Sequence, residues 1–212
     1  MINNKVKNAL IRRKNYVASK SQTLEFYEFN AIKYDTNLLS TTECIEIISE
    51  TQYKDYCNTH GYEIPGEHLR RLRAGSKYYV IDLCGERISS GWLAFNEIFW
   101  ISEVDMIIDL RNSNTAILYD FETVPDYRGK GWYAKLLHSM IKKNDTDLKL
   151  YIIYALNDNQ SSNRGIQKAG FNHIFSTTHS GSAIREYFKS LNIVVFGSKY
   201  CLFGFAYKKD IK

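Results

Sequence analysis

At 212 residues the chain has the length of one elaborated domain, or of a domain with a small extension. Hydrophobic residues make up 44% and charged residues 24%, a globular composition that excludes a disordered or collagen-like chain. The longest run without Asp, Glu, Lys or Arg, residues 169–184, is full of Ser, Thr, His and Gly, so no transmembrane helix fits the sequence.

The net charge of +5 is unevenly spread. Lys5, Lys7, Arg12, Arg13, Lys14 and Lys20 precede the first acid, Glu25, so this arm carries +6 and the rest of the chain −1. A nearly neutral body argues against DNA as a partner, because nucleic-acid binding needs basic charge spread over a face. Ile2, Val6, Ala9 and Leu10 follow a helical spacing. Residues 1–22 therefore read as a basic arm or helix resting on the body, with RNA or an anionic membrane as the lesser reading. The arm makes a poor secretory signal. Cys44, Cys57, Cys84 and Cys201 are scattered, and the five histidines form no ligand pair, so the expectation is a cytoplasmic protein without a metal.

From residue 23 onward the sequence predicts one domain. Thr23–Tyr34 alternates as a first strand. Ser40 and Glu43 have the look of a capping box, predicting a helix from there to about His60, with Ile45, Ile48 and Tyr53 inward and Gly61 as its stop. Glu67–Ala74 reads as a second helix. Lys77–Cys84 and Ile88–Phe99 form a predicted hairpin about Gly85-Glu86. Met106–Leu110 and Ala116–Val124 are further strands. In Gly131–Lys143, Tyr133, Leu136, Leu137, Met140 and Ile141 make one apolar stripe of a helix. Leu148–Leu156 is a nearly continuous apolar run suited to an inner strand. Ser161–Ala169 predicts a helix ending at Gly170. Phe171–Thr177 and Tyr200–Tyr207 are closing strands, separated by a helical insertion around residues 183–190. The sum is an α/β sandwich with a mixed sheet.

The segment Thr123-Val124-Pro125-Asp126-Tyr127-Arg128-Gly129-Lys130-Gly131-Trp132 lies between a strand and that amphipathic helix. Gly129 and Gly131 let backbone approach a ligand. The first amides of the helix lack intrahelical acceptors, and Arg128 and Lys130 add positive charge at the same end. Such a loop is built to cradle a diphosphate. It is neither a Walker loop nor a GxGxxG fingerprint.

In this loop the sequence resembles the GCN5-related N-acetyltransferase (GNAT) superfamily, whose acetyl-CoA loop reads Arg/Gln-x-x-Gly-x-Gly/Ala. Arg128 and Gly131 match, and Tyr133 stands where Gly or Ala is usual. A second family pattern, Asn-x-x-Ala/Ser followed at fixed distance by Lys-x-Gly-Phe, is met by Asn159, Ser162 and Lys168-Ala169-Gly170-Phe171. The resemblance covers residues 116–171 well and 77–100 by pattern only. It implies a mostly antiparallel twisted sheet flanked by helices on both faces, and acetyl-CoA as co-substrate. It implies contacts from Arg128, Gly129, Lys130, Gly131, Trp132, Tyr133, Asn159 and Ser162, with main-chain amides of Thr123 and Val124 serving the pantetheine arm and the thioester oxygen. The loop is also similar to that of members found beside bacterial surface-polysaccharide genes, which acetylate amino sugars.

For the amine, alternation puts Asp120 and Glu122 on one face of their strand and Tyr119 and Phe121 on the other. Two neighbouring carboxylates would raise one another's proton affinity and attract a cationic amine. Aminoglycoside-acetylating members carry an acid at the position matching Asp120. The expected base or amine anchor is therefore Asp120, then Glu122, with Glu103 third. Ile166 occupies the place of a Tyr that many members use to protonate the thiolate, leaving water, Tyr133 or Ser162. The aromatic residues of the N-terminal half (Tyr53, Tyr56, Tyr62, Tyr78, Tyr79, Trp92, Phe95, Phe99, Trp100) either line a sugar pocket or form core.

The expected function is acetyl transfer to a primary amine of a small molecule, an amino sugar or nucleotide-linked amino sugar by preference. The alternatives are an enzyme acting on aminoacyl-tRNA or a protein amine, with the basic arm as docking element, and a non-catalytic acyl-CoA-binding module. A homodimer is compatible with each.

Overall fold

The computed structural model describes residues 23–178 and 181–197. The basic arm and the expected strand at 200–207 lie outside them. The main sheet consists of β1 (Leu24–Asn30), β2 (Ile45–Ile47), β3 (Lys77–Leu83), β4 (Glu86–Phe95), β7 (Thr115–Thr123), β8 (Leu150–Leu156) and β9 (Asn172–Thr177), in the order β2-β3-β4-β7-β8-β1-β9. Every neighbouring pair is antiparallel except β7 with β8. A second sheet, β10-β6-β5, joins β5 (Ile98–Ile101), β6 (Met106–Asp109) and β10 (Val194–Gly197).

The period-two alternation of the strands sorts apolar side chains into two cores. Tyr78, Val80, Trp92, Ile117 and Tyr119 join one, together with Tyr53, Tyr56 and Cys57 of α1 (Glu50–His60), Leu72 of α2 (Gly66–Ala74), the second sheet, and Ile184 and Phe188 of α5 (Ser182–Ser190). Tyr79, Ile81, Leu118 and Ile153 join the other, against α3 (Trp132–Asn144) and α4 (Gln160–Lys168). Helices thus cover both faces. Leu136, Leu137, Met140 and Ile141 of the expected stripe are fully buried.

Several boundaries differ from the sequence-based expectation, each for a local reason. β1 stops at Asn30, and a short 3-10 turn at Thr36–Leu38 follows. No helix starts at Ser40. Thr42 is held extended by Ser139 of α3, which bonds both its N–H and its carbonyl. Residues 45–47 pair with β3, and Ile45 and Ile48 are exposed. The true cap is Ser49, whose hydroxyl accepts from the Gln52 amide while the Gln52 side chain accepts from the Ile48 amide. That is the reciprocal logic of a capping box nine residues downstream. Gly61 ends α1 with φ +69, as expected. The long strand expected through Phe99 breaks at Asn96, whose φ of +50 turns the chain into the second sheet.

Candidate active site

Pairing between β7 and β8 runs only from Thr115 opposite Leu150 to Leu118 opposite Ile153. β7 continues to Thr123 and β8 to Leu156 without further pairing to one another, so the sheet splits at its centre. The split has an identifiable cause on β7. Asp120 sits in the left-handed region (φ +52), and the register against β4 slips between Ser90 and Trp92. This is a bulge, with two residues of β7 opposing Gly91. Gly91 is required there, because a Cβ would lie 2.2 Å from the Phe121 ring.

The bulge also re-sorts the side chains. Tyr119 belongs to the α1/α2 core, and Phe121 packs with the α3 core, 5.2 Å from the Tyr133 ring. Asp120 pairs with Arg71 of α2 at 2.5 Å, and Glu122 approaches Arg87 at 3.8 Å. The acids thus reach cations on the α1/α2 side, and Tyr119 joins them there instead of opposing them. Each acid faces a guanidinium of its own, so the two are not the isolated pair of carboxylates that was expected. The Arg71 guanidinium also lies 5.2 Å over Trp92 and 5.1 Å over Tyr119.

The ladder decides which amides face the split. The Val124 N–H donates to the Ile88 carbonyl at 3.0 Å, so it is spent on β4 and does not serve a ligand, contrary to expectation. Along a strand successive N–H groups point to opposite edges. The amides of Thr123 and Phe121 therefore point away from β4, into the split. Thr123 is steadied from behind, its hydroxyl 2.9 Å from that of Ser89.

Beyond Thr123 a 3-10 turn, Pro125–Tyr127, leads to Arg128, whose Nε donates back to the Thr123 carbonyl at 2.8 Å. Gly129 (φ +75) and Gly131 (φ +82) take left-handed angles, and a Cβ on either would meet open space. Gly131 caps α3 without a side-chain hydrogen bond, and the first turn holds no acid. Nothing from the described residues competes with an anion at this helix end, so a diphosphate fits. Lys130 lies over the Tyr127 ring at 5.3 Å, and Lys135 covers Trp132 at 4.6 Å.

Tyr133, the bulky residue at the helix start, is accommodated by α4. A Cβ on Gly165 would lie 2.5 Å from the Tyr133 ring, so that glycine is the space into which the ring packs. The Tyr133 hydroxyl comes to 3.5 Å from Ser162 Oγ, and burial raises its pKa, which keeps it a proton donor. Asn159 caps α4 through its side-chain oxygen, which accepts from the Ser162 amide at 3.1 Å, leaving its NH₂ group to donate. Ile166 is fully buried in the α3 core.

A cavity of about 450 Å³ occupies the split, within the usual range for a small-molecule site. Tyr133, Asn159, Ser162 and Phe121 line one end. Arg71, Glu67, Ser76, Glu97, Trp100 and Glu103 line the other, with Tyr119, Asp120 and Tyr154 also in its wall. Glu103 stands in the β5–β6 turn and accepts from the Ser102 hydroxyl at 3.0 Å. Burial, reinforced by Glu103, Tyr119 and Asp120, raises the Tyr154 pKa well above its ordinary value. Of the expected site residues, Asp120, Glu103, Tyr133, Asn159 and Ser162 meet in this cavity. Glu122, Thr123, Val124, Arg128, Gly129, Lys130, Gly131 and Trp132 lie outside its lining, along the strand end and loop. Sequence reasoning missed Arg71, Ser76, Glu97 and Tyr154, which come from separate elements. Of the aromatic residues offered for a sugar pocket, only Phe99 and Trp100 line the cavity; Tyr53, Tyr56, Tyr78, Tyr79 and Trp92 are buried core.

The described residues thus define a mixed α/β fold, split between its two parallel strands, with an uncapped helix end at the mouth of the split. No protein-family model and no curated protein sequence matches the chain. Solved structures similar to it include an acetyltransferase of the GNAT family from Colwellia psychrerythraea, at 16% identity and a TM-score of 0.49 over 75% of this chain and 55% of that one. A GCN5-related N-acetyltransferase from Kribbella flavida is similar at 10% identity and a TM-score of 0.47, over 74% of this chain and 56% of that one. A GCN5-related N-acetyltransferase-like protein from Streptococcus suis is similar at 15% and 0.47, over 81% of this chain and 65% of that one. The chain thus spans a little over half to about two thirds of the length of these structures. Among the described residues no helix is long and apolar enough to cross a membrane, and no cluster of three His, Cys, Asp or Glu is placed to hold a metal.

Proposed function

We propose that the protein is an acetyl-CoA-dependent N-acetyltransferase that acylates the primary amine of a small molecule. The observation that carries this reading is the continuity of three features: an uncapped helix end flanked by Arg128 and Lys130, a split strand pair with amides facing into it, and a cavity beyond. Acetyl-CoA supplies the activated acyl group as a thioester. Gly129, Gly131 and the first turn of α3 hold its diphosphate. Asn159 and the Phe121 and Thr123 amides receive the pantetheine arm, and the Arg128 latch keeps the Thr123 end of the strand in place. An amide aimed at the carbonyl oxygen as charge develops is worth about 3 kcal/mol of barrier. Tyr133 and Ser162 offer hydroxyls to the departing thiolate.

The acceptor end favours a cationic amine. Among the described residues its lining holds Glu67, Glu97, Glu103 and Asp120 against Arg71 alone. Trp100, 44% exposed at the rim, offers a flat ring against which a sugar can stack, which supports an amino sugar or nucleotide-linked amino sugar. A cytoplasmic location and a dimer belong to the same reading. The buried Ile166 at the place of the family Tyr favours one competitor, a module that binds acyl-CoA without turnover.

A thiol-release screen of acetyl-CoA against amino sugars, polyamines, amino acids and charged tRNA, with calorimetry of acetyl-CoA binding alongside, tests the proposal. Turnover with an amino sugar supports it. Turnover confined to charged tRNA moves the activity to a macromolecular acceptor, and binding without turnover makes the protein a module. Absence of binding removes the proposal altogether.

A further inference from the structure

Among the described residues a single cation lines the acceptor cavity, and nothing in the steps above uses it. Arg71 stands in the last turn of α2 with its side chain 21% exposed. Its guanidinium lies over the buried rings of Trp92 and Tyr119, which form a rigid floor beneath it. A guanidinium carries five N–H donors in a fixed planar fork. One of them, on Nη1, goes to Asp120 Oδ2 at 2.5 Å. Glu67 Oε1, 3.6 Å from Nε, is in ion-pair range but beyond hydrogen-bond reach, and the other Glu67 oxygen is bonded to Arg70. The Nη2 edge of the fork therefore donates to none of the described residues.

The bulge on β7 supplies the counterpart. At φ +52 Asp120 turns its carboxylate onto Arg71, yet its side chain stays 55% exposed and its Oδ1 accepts from none of the described residues. The wall thus presents, side by side, an acceptor for an ammonium and unused donors for an anion.

We infer that the acceptor is zwitterionic, a primary amine with a carboxylate or phosphate nearby in the same molecule, and that Arg71 is the residue that reads this anionic group. The inference rests on the acetyl-transfer reading. The ammonium goes to Asp120, on the strand whose Phe121 and Thr123 amides face the split, and the anion lies along the free edge of the Arg71 fork. Because Arg71 and Asp120 are themselves in contact, the two ligand charges sit a few bonds apart, not at opposite ends of the molecule. A nucleotide-linked 2-amino sugar has that pattern, with its phosphate on the carbon next to the amine-bearing one, and so has an α-amino acid.

Charge and pre-organisation favour this use. In a site for a cation alone, an arginine in the wall repels the ligand and carries the cost of its own desolvation. Held by two rings and by Asp120, the fork gives up little freedom when an anion arrives, and paired N–H···O bonds to a carboxylate or phosphate match its geometry. Glu67, Glu97 and Glu103 in the same lining disfavour an anion that brings no ammonium with it, so the zwitterion is the better match.

The test is thiol release by the full chain with two matched pairs, glucosamine 1-phosphate against glucosamine and alanine against alaninamide. Each pair keeps the amine and removes the anion. The wild type should prefer the anionic member of at least one pair by about 10- to 150-fold in kcat/KM, the worth of one charge-assisted hydrogen bond, with the difference residing in KM. The pair that shows the preference identifies the anion as phosphate or carboxylate. Arg71→Gln should bring the ratio within that pair close to one, whereas a merely structural Arg71 lowers both members alike and preserves the ratio. If Arg71→Gln fails to fold, Arg71→Lys decides, since it keeps the charge, loses the fork and must lower the ratio. A wild-type ratio near one in both pairs, a ratio unmoved by the Arg71 variants, or turnover confined to polyamines overturns the inference and leaves acetyl transfer intact. A wild-type protein that binds acetyl-CoA but turns over no amine removes both.

Discussion

A matched pair of glycine substitutions isolates the diphosphate cradle from its own folding cost. Gly131 (φ +82, ψ +2) and Gly61 (φ +69, ψ +26) are both left-handed residues at helix ends, and a Cβ on either meets nothing within 4 Å. Alanine at each site therefore suffers the same backbone penalty, about 1–2 kcal/mol, without a packing clash. For a chain of this length that lowers the melting temperature by roughly 2–8 °C in both variants. Only at Gly131 does the new Cβ enter the space where a diphosphate would approach the α3 amides. Losing one charge-assisted hydrogen bond there costs about 1.5–3 kcal/mol, which weakens acetyl-CoA binding by about 10- to 150-fold. Calorimetric titration and thermal melting of both variants provide the check. The cradle assignment is refuted if Gly131→Ala melts earlier yet binds acetyl-CoA as the wild type does. Equal weakening by Gly61→Ala would likewise show the effect to be global.

Three further outcomes follow from individual contacts. Gly165→Ala should destabilise despite the helix propensity it gains, because overpacking against Tyr133 costs about 1–3 kcal/mol; in a Tyr133→Ala background the same substitution should stabilise, and thermal melts of the four proteins decide. Asp120→Asn keeps a residue tolerant of φ +52 and loses only an exposed ion pair, so stability should shift by less than about 1 kcal/mol while kcat/KM for a cationic amine falls; equal activity in a thiol-release assay would remove Asp120 from amine recognition. His68, its Nδ1 2.5 Å from the Tyr53 hydroxyl, has its pKa lowered by burial and then by Arg71 and Arg87, against Asp120 and Glu122. The unfolded chain therefore binds this proton more readily, so the stability His68 contributes is present above about pH 6.5 and is lost on acidification. Urea denaturation should show the wild type losing more stability between neutral and mildly acidic pH than His68→Gln, and identical losses would contradict the assignment.

The elements that sequence reasoning located well are those fixed by local pattern. The α3 stripe, the β8 apolar run, the hairpin about Gly85 and the Gly61 stop each depend on residues within one turn or one strand length. The misplaced features depend on distant partners. Residues 40–44 carry helix-start signals, but Ser139 of α3, almost a hundred positions away, holds Thr42 extended. Phe95 and Ile98 read as one strand until Asn96 adopts φ +50, and the second sheet then needs β10, some ninety residues downstream, to complete it. The Asp120 bulge has only a faint local signature, an acid tolerant of left-handed angles opposite a glycine on the neighbouring strand. Strict alternation therefore put Tyr119 on the wrong face, and matching the family loop by position gave the Val124 amide to a ligand.

The candidate site divides along the same line. Its loop end, the proposed seat of the cofactor, could be read as a candidate because the loop contributes consecutive residues and backbone, which a short motif records. The acceptor end draws Arg71 from α2, Ser76 from the entry to β3, Glu97 from the β4–β5 connection and Tyr154 from β8, and no spacing along the chain announces their meeting. One long-range signal was nevertheless present. Gly165 in the middle of a nine-residue helix costs about 1 kcal/mol of propensity, so it needs a packing reason. Tyr133, bulky where the family pattern has Gly or Ala, needs room. The two irregularities answer each other: the volume added at the start of α3 is taken from α4. The ring stays beside the split, and its hydroxyl reaches Ser162 at the end of the cavity where Ile166, buried in the core, offers no proton donor.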